Sequence, residues 1–269
     1  MEKRVDELIE TFRTPFWLDE HQWFVRCHWE SQEPRQNTHL YTLPYCHDTL
    51  SNWTSNLYCK SNCPSDQDFF SYNNVRVIEY LYGTDIWLSS IRFPNIRDMS
   101  IGFPTHETIW SSIPTLDNLI SLTIWLNQDA CISDVQALIN RTHRLYSLTL
   151  RGNVGFQLWK IKSISIRRLD LTRIGYFTVA QCSALINSLL GRQCQVLLIH
   201  VMNRSQILNI VNTIPNLRAL HCRCGDNLKI RDRSSSAKNE LLVWLRNRLP
   251  STFSIRREPT SYEIIQLWT

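Results

Sequence analysis

The feature that most restricts how this chain can fold is a six-residue unit, apolar-x-x-apolar-x-apolar, seen clearly in "LYSLTL" from Leu145 and found seven times. The other copies are "VRVIEY" from Val75, "IRDMSI" from Ile96, "LISLTI" from Leu119, "IRRLDL" from Ile166, "CQVLLI" from Cys194 and "LRALHC" from Leu217. Their central residues are Ile78, Met99, Leu122, Leu148, Leu169, Leu197 and Leu220, spaced by 21, 23, 26, 21, 28 and 23 residues. Recurrence at such an interval marks a repeat architecture. One unit cannot bury its own apolar side chains, so each stacks on the next and a continuous core results.

The polar interruptions follow from strand geometry. Successive side chains of a strand point to opposite faces, so Leu148 and Leu150 turn inward while Ser147, Thr149 and Arg151 turn outward. Asn127 and Asn153 hold the ninth position of two copies, where an amide side chain can bond backbone as the chain leaves the strand. Between the motifs lie helix signals. "SDVQALIN" pairs Ser133 with Gln136 as a capping box ahead of Val135, Leu138 and Ile139 on one face. "TVAQCSALINSLL" repeats the device with Thr178 and Gln181 ahead of Leu185 and Leu189, and "NRSQILNIVNTIPN" with Asn203 and Gln206 ahead of Ile207, Ile210, Val211 and Ile214. The last of these helices should end before Pro215. The earlier spacer "FPTHETIWSSIPTLDN" reads as less clearly helical.

The ends read differently from the array over residues 75–230. Residues 1–74 predict an aromatic-rich N-terminal cap: a short amphipathic helix, "VDELIETF", then two strands, "WFVRCHWE" and "HLYTLPY", around the polar loop "SQEPRQNT". Trp17, Trp23, Phe24, Trp29, Tyr41 and Tyr45 suit a cap that covers the first apolar face; an aromatic ligand groove is the competing reading. The stretch from residue 47 to 74 reads as polar loop. Residues 231–269 predict a C-terminal cap, with Leu241, Trp244, Leu245 and Leu249 at helical spacing and then the strands "TFSIRRE" and "YEIIQLW".

The repeats resemble leucine-rich repeats of the irregular, ribonuclease-inhibitor-like sort found in F-box proteins. The block "RTPFWLDEHQWFVRCHWE" followed by "HLYTLPY" is similar to the segment that precedes the repeats in a large invertebrate family of F-box/leucine-rich-repeat proteins. The resemblance implies an α/β solenoid with parallel strands on one face and irregular helices on the other, and a role as substrate receptor of a cullin-based ubiquitin ligase. The family's F-box, a helical module beginning near a Leu-Pro pair, has no counterpart here: "VDELIETF" is too short and runs straight into the aromatic block. No F-box residue is carried over, and a ligase-adaptor role requires such a module upstream.

On this reading the outward strand positions form three rows, led by Val77, Glu79 and Leu81 and continued on each later strand. Strands about 4.8 Å apart make a face roughly 29 Å long, enough for a standard interface of about 800 Å² per partner. The expected partner-binding residues are Trp125, Arg151, Arg168, Asp170, His200, His221 and Arg223, because tryptophan and arginine dominate interface hot spots and neighbouring histidines can confer pH sensitivity. The plainer reading leaves these side chains merely solvated, with Arg168 paired to Asp170. The rows hold three acids (Glu79, Asp98 and Asp170) against three arginines, a balance that argues against a nucleic-acid stripe. A nucleic-acid or small-molecule binding module with no ubiquitin link is the alternative.

Other classes find little support. Net charge is only +5. No run approaches the ~18 apolar residues of a membrane span, and "MEKRVDELIE" lacks the apolar core of a signal peptide. A cytoplasmic or nuclear protein is expected, in which the sequons at Asn52, Asn140 and Asn203 are coincidental. Nine cysteines, an odd number, read as reduced thiols, with Cys182, Cys194 and Cys222 in the core. The sequence has no nucleophile elbow and no phosphate-cradling loop, and "HETIW" at His106 lacks the second histidine of a zinc protease. Cys46, His47, Cys59 and Cys63 are ligand types for zinc, but at loose spacing. We expect no catalysis, no cofactor and no metal.

Overall fold

The computed structural model describes residues 1–30, 38–53, 57–64, 72–80, 92–105, 110, 113–127, 129–152, 158–228, 235–259 and 261–269. The loop at 31–37, Leu81, His106 and Asn153 lie outside the described residues. The fold is mixed α/β, and the chain divides into two compact units, Met1–Ile120 and Ser121–Thr269.

The first unit opens with helix α1 (Glu2–Glu10). Its Val5 and Ile9 pack with Val25, Cys27 and Trp29 of strand β1 (Phe24–Glu30), with Phe12 alongside. Lys60 ties the outer side of α1 down, reaching Glu2 at 2.9 Å and Asp6 at 2.7 Å. β1 is the centre of an antiparallel sheet, flanked by β2 (Thr38–Leu43) and β4 (Leu57–Ser61). A parallel set follows, in which β3 (Thr49–Trp53) pairs β5 (Val77–Tyr80) and β5 pairs β6 (Asp98–Phe103). The stretch from 47 to 74, expected as loop, therefore supplies β3 and β4, and it buries Leu50 and Tyr72. The partners of these two strands lie roughly 30 residues away, so nothing local in the sequence marks them as paired.

In the second unit five motif strands run parallel in chain order: β7 (Ser121–Leu126), β8 (Ser147–Gly152), β9 (Arg168–Arg173), β11 (Val196–Val201) and β12 (Ala219–Cys224). The short β10 (Tyr176–Phe177) also pairs β11. The central residues of the motif meet in register: Leu122 faces Leu148, Leu148 faces Leu169, Leu169 faces Leu197 and Leu197 faces Leu220. Each is buried, as are Leu150, Leu171 and Ile199 two residues on, so the alternation read from the sequence is realised as one apolar face. Three of the strands are entered alike. The amide one residue before the central leucine bonds the preceding strand's entry carbonyl, as in Arg168 to Tyr146, Val196 to Arg167 and Ala219 to Gln195.

Helices cover the apolar face between strands. Helix α2 (Ile132–Asn140) buries Val135, Leu138 and Ile139, but it starts earlier than expected. Cys131 is its N-cap, Ser133 lies inside it, and Gln136 instead bonds Asn140 and the backbone of Lys162. The capping boxes of Thr178 with Gln181 and Asn203 with Gln206 are both formed. Helix α3 (Val179–Asn187) stops at Ser188, which caps a second short helix, α4 (Leu189–Gln193), and this break turns Leu189 outward instead of into the core. Helix α5 (Arg204–Thr213) ends at the extended Ile214, the residue before Pro215, as the proline dictates. Helix α6 (Ser235–Arg246) buries Leu241 and Leu245. Strand β14 (Ser261–Trp268) then pairs antiparallel with β12, and β13 (Ser254–Glu258) with β14, covering that edge of the sheet. Among the described residues no helix is long and apolar enough to cross a membrane.

Candidate functional site

The face of the second unit opposite its helices carries the outward strand positions, all of them half-buried because each is flanked by neighbours on adjoining strands. Trp125 on β7 and Arg151 on β8 are direct cross-strand partners, and the guanidinium of Arg151 sits 4.6 Å from the centre of the indole. This contact favours one arrangement of the two side chains. Past Thr149 the ladder slips, so that Arg151 stands opposite Arg173 where unbroken alternation puts Thr172. The slip adds an arginine to the row.

On β9 the pairing of Arg168 with Asp170 that the plainer reading offered is not made. The Asp170 carboxylate accepts from the amide of Thr172 at 3.0 Å and from its hydroxyl at 2.7 Å. Asp170 thus shapes the strand end, and among the described residues Arg168 forms no ion pair with it. Arg168 instead acts on the ring of His221. Burial first, and then the positive charge of Arg168, hold His221 below its ordinary pKa, with Arg256 adding to the effect and Glu258 and Asp170 opposing it.

His200 on β11 and Arg223 on β12 are register partners. Together with Thr172, Arg173, Leu198, His221, Cys222, Glu258 and Ile264 they line a cavity of about 380 Å³. Tyr176 supports one wall: its ring lies 5.4 Å from that of His200, and the Arg223 guanidinium lies 5.9 Å from it. A second cavity adjoins His221, bounded by Ala219, Arg256, Gln266, Leu267 and Trp268. There Arg256 donates to Gln266 at 2.8 Å and covers the Trp268 ring at 4.9 Å.

The structure thus gathers three of the expected site residues, His200, His221 and Arg223, into one cavity, with Arg168 close enough to bias His221. Trp125 and Arg151 form a separate pair outside that lining, and Asp170 is engaged within its own strand. Sequence reasoning missed Arg173, Tyr176, Glu258 and Ile264. Tyr176 follows Gly175, whose φ of 116° turns the chain out of β9 into β10, and "RIGYF" was the available signal.

The nine thiols are free. Burial pushes Cys182 up to about 11, Cys194 up to about 12, and Cys222 higher still, which makes them packing residues and not nucleophiles. Among the described residues no group of three or more His, Cys, Asp or Glu side chains converges as a metal site. Compared with known proteins, the chain matches no protein-family model and no curated protein.

Proposed function

We propose that this protein is a non-catalytic recognition module: a leucine-rich-repeat solenoid that grips a protein partner on the outward face of its motif strands. The observation that carries the reading is the face formed by β7, β8, β9, β11 and β12. It presents a stacked Trp125–Arg151 pair at one end and a cavity lined by His200, His221 and Arg223 at the other. Stacking favours one arrangement of the arginine and tryptophan in advance, so less entropy is lost on association, and these two residue types are those enriched at interface hot spots. The sequence resemblance to F-box/leucine-rich-repeat proteins extends the proposal to a substrate receptor of a cullin-based ubiquitin ligase in the cytoplasm or nucleus, provided that an F-box module lies upstream.

The test is crosslinking in cells that express the chain, followed by identification of captured proteins. The double variant Trp125→Ala/Arg151→Ala should lose one or more specific partners that the parent captures. An unchanged set of captured proteins removes the reading. Co-purification of the ligase's adaptor subunit only with a version extended upstream would support the ubiquitin role.

A further inference from the structure

The chain-wide balance of acids and bases conceals a local excess. Glu79 and Asp98 belong to the first unit, so among the described residues the face of the second carries Arg151, Arg168, Arg173, Arg223 and Arg256 against Asp170 and Glu258. Asp170 is engaged by Thr172 through its Oδ1 oxygen. The cavity lies on this face, and its lining is mixed. Leu198 and Ile264 are apolar, while His200, His221, Arg173 and Arg223 carry donors. Leu198 faces His221 across the strands, and Arg223 faces Ile264, so an apolar side chain and a donor alternate along the row.

We propose that this cavity binds an acidic side chain of an extended partner segment, with the carboxylate held by Arg223 and the two histidines and an adjacent aliphatic side chain resting on Leu198 and Ile264. The inference rests on the recognition role proposed above and specifies its partner's chemistry. A carboxylate matches the planar fork of Arg223, which the Tyr176 ring already orients. The volume of about 380 Å³ holds one or two side chains and not a folded element. A nucleic-acid backbone fits poorly: it requires cations at regular intervals, and here Glu258 at the rim and Asp170 on β9 interrupt them.

The test is a fluorescence-anisotropy titration of the whole purified chain with a labelled, doubly capped Glu-Leu repeat peptide of about eight residues. A Gln-Leu peptide of the same length and a random DNA duplex serve as comparisons. The Glu-Leu peptide should bind at least about tenfold more tightly than the Gln-Leu peptide, a difference of one charge-assisted contact. Arg223→Met should reduce binding of the Glu-Leu peptide by a similar factor. If that variant does not fold, His200→Leu serves instead, since it removes the ring's hydrogen-bonding nitrogens and leaves the contact between Arg223 and Tyr176 in place. Equal binding of the two peptides, no binding of the Glu-Leu peptide at millimolar concentration, or tighter binding of the duplex with a steep loss in salt each overturn the proposal. The two proposals fail separately. Partners captured through Trp125 and Arg151 without peptide binding leave the recognition role standing, and peptide binding without captured partners does the reverse.

Discussion

In the first unit the guanidinium of Arg26 and the ring of His28 are buried, 3% and 0% exposed, and Tyr72 and Tyr41 join them in a chain. Arg26 donates to the Tyr72 hydroxyl at 3.1 Å, the two tyrosine hydroxyls lie 2.9 Å apart, and Tyr41 meets His28 Nε2 at 2.7 Å. In the second unit the corresponding residue types, Arg168, Arg223, His200 and His221, stand half-buried on a sheet face beside open cavities. Its interior is instead built of aliphatic rows two to three residues deep. The same strand motif occurs in both units, so the motif alone does not decide where polar groups go. A buried polar chain secures one arrangement of its neighbours because any unpaired member is costly. In the second unit the arginines and histidines stand instead on the sheet face, over a core that is mainly aliphatic and also buries Thr142, Ser188, Gln206 and Gln266.

The largest effects should come from the aliphatic rows. Leu148 is fully buried between Leu122 and Leu169, so Leu148→Ala should cost about 3–4 kcal/mol of unfolding free energy in urea titration. An effect under about 1 kcal/mol would mean that the row is not a packed core. Gly152 comes next. Its φ is 100°, and a Cβ there would run into the backbone of Leu126, its partner on β7, so Gly152→Ala should cost about 2 kcal/mol or more. Hydrogen exchange followed peptide by peptide should show the loss in β7 and β8 first.

The strands of the repeat were legible because a period of two within each motif and a recurrence of 21 to 28 residues between motifs are both written in residues that touch. The capping boxes of Thr178 and Asn203 were legible for the same reason, since each is settled within four residues. Ser133 and Gln136 show the limit of such motifs. The right residue types stand at the right spacing, yet the helix begins at Ile132, and Gln136 finds a better partner in Lys162. Leu189 was misplaced because Ser188 breaks the helix by accepting from Gly191, a choice that helical spacing does not reveal. The site was half legible. Outward residues of the strands could be named from alternation, but the cavity needs Glu258 and Ile264 from β13 and β14, whose approach to β12 is set by long-range antiparallel pairing.

A pH series sharpens the contrast between the units. Burial, and then the charge of Arg26, hold the His28 ring down to about 3 against an ordinary value of 6.5. The unfolded chain therefore takes up this proton first. The contribution of neutral His28 is fully present above pH 6.5 and is lost as pH falls from there towards 3. The slope is about 1.4 kcal/mol per pH unit, or about 2 kcal/mol between pH 6.5 and 5. Urea titrations across that range should show the loss in the parent and a flatter profile in His28→Gln, with hydrogen exchange quickening in β1 before β8. Parallel profiles would place the titrating group elsewhere.

The smallest stability effect belongs to the Trp125–Arg151 pair, and its smallness is what makes it informative. A half-exposed cation–π contact is worth about 0.5–1 kcal/mol, so Trp125→Ala and Arg151→Ala should each shift the urea midpoint only slightly, and a double-mutant cycle should return a coupling of about 0.5 kcal/mol. Against a captured partner the same substitutions should each cost about tenfold or more in affinity, as truncated hot-spot anchors do. A side chain held for packing shows the opposite ratio, large in stability and negligible in binding. If Trp125→Ala removed more than about 2 kcal/mol of stability, the indole would be part of the core in the way Leu148 is, and the outward face of this unit would differ less from the first unit's buried polar chain than its geometry indicates.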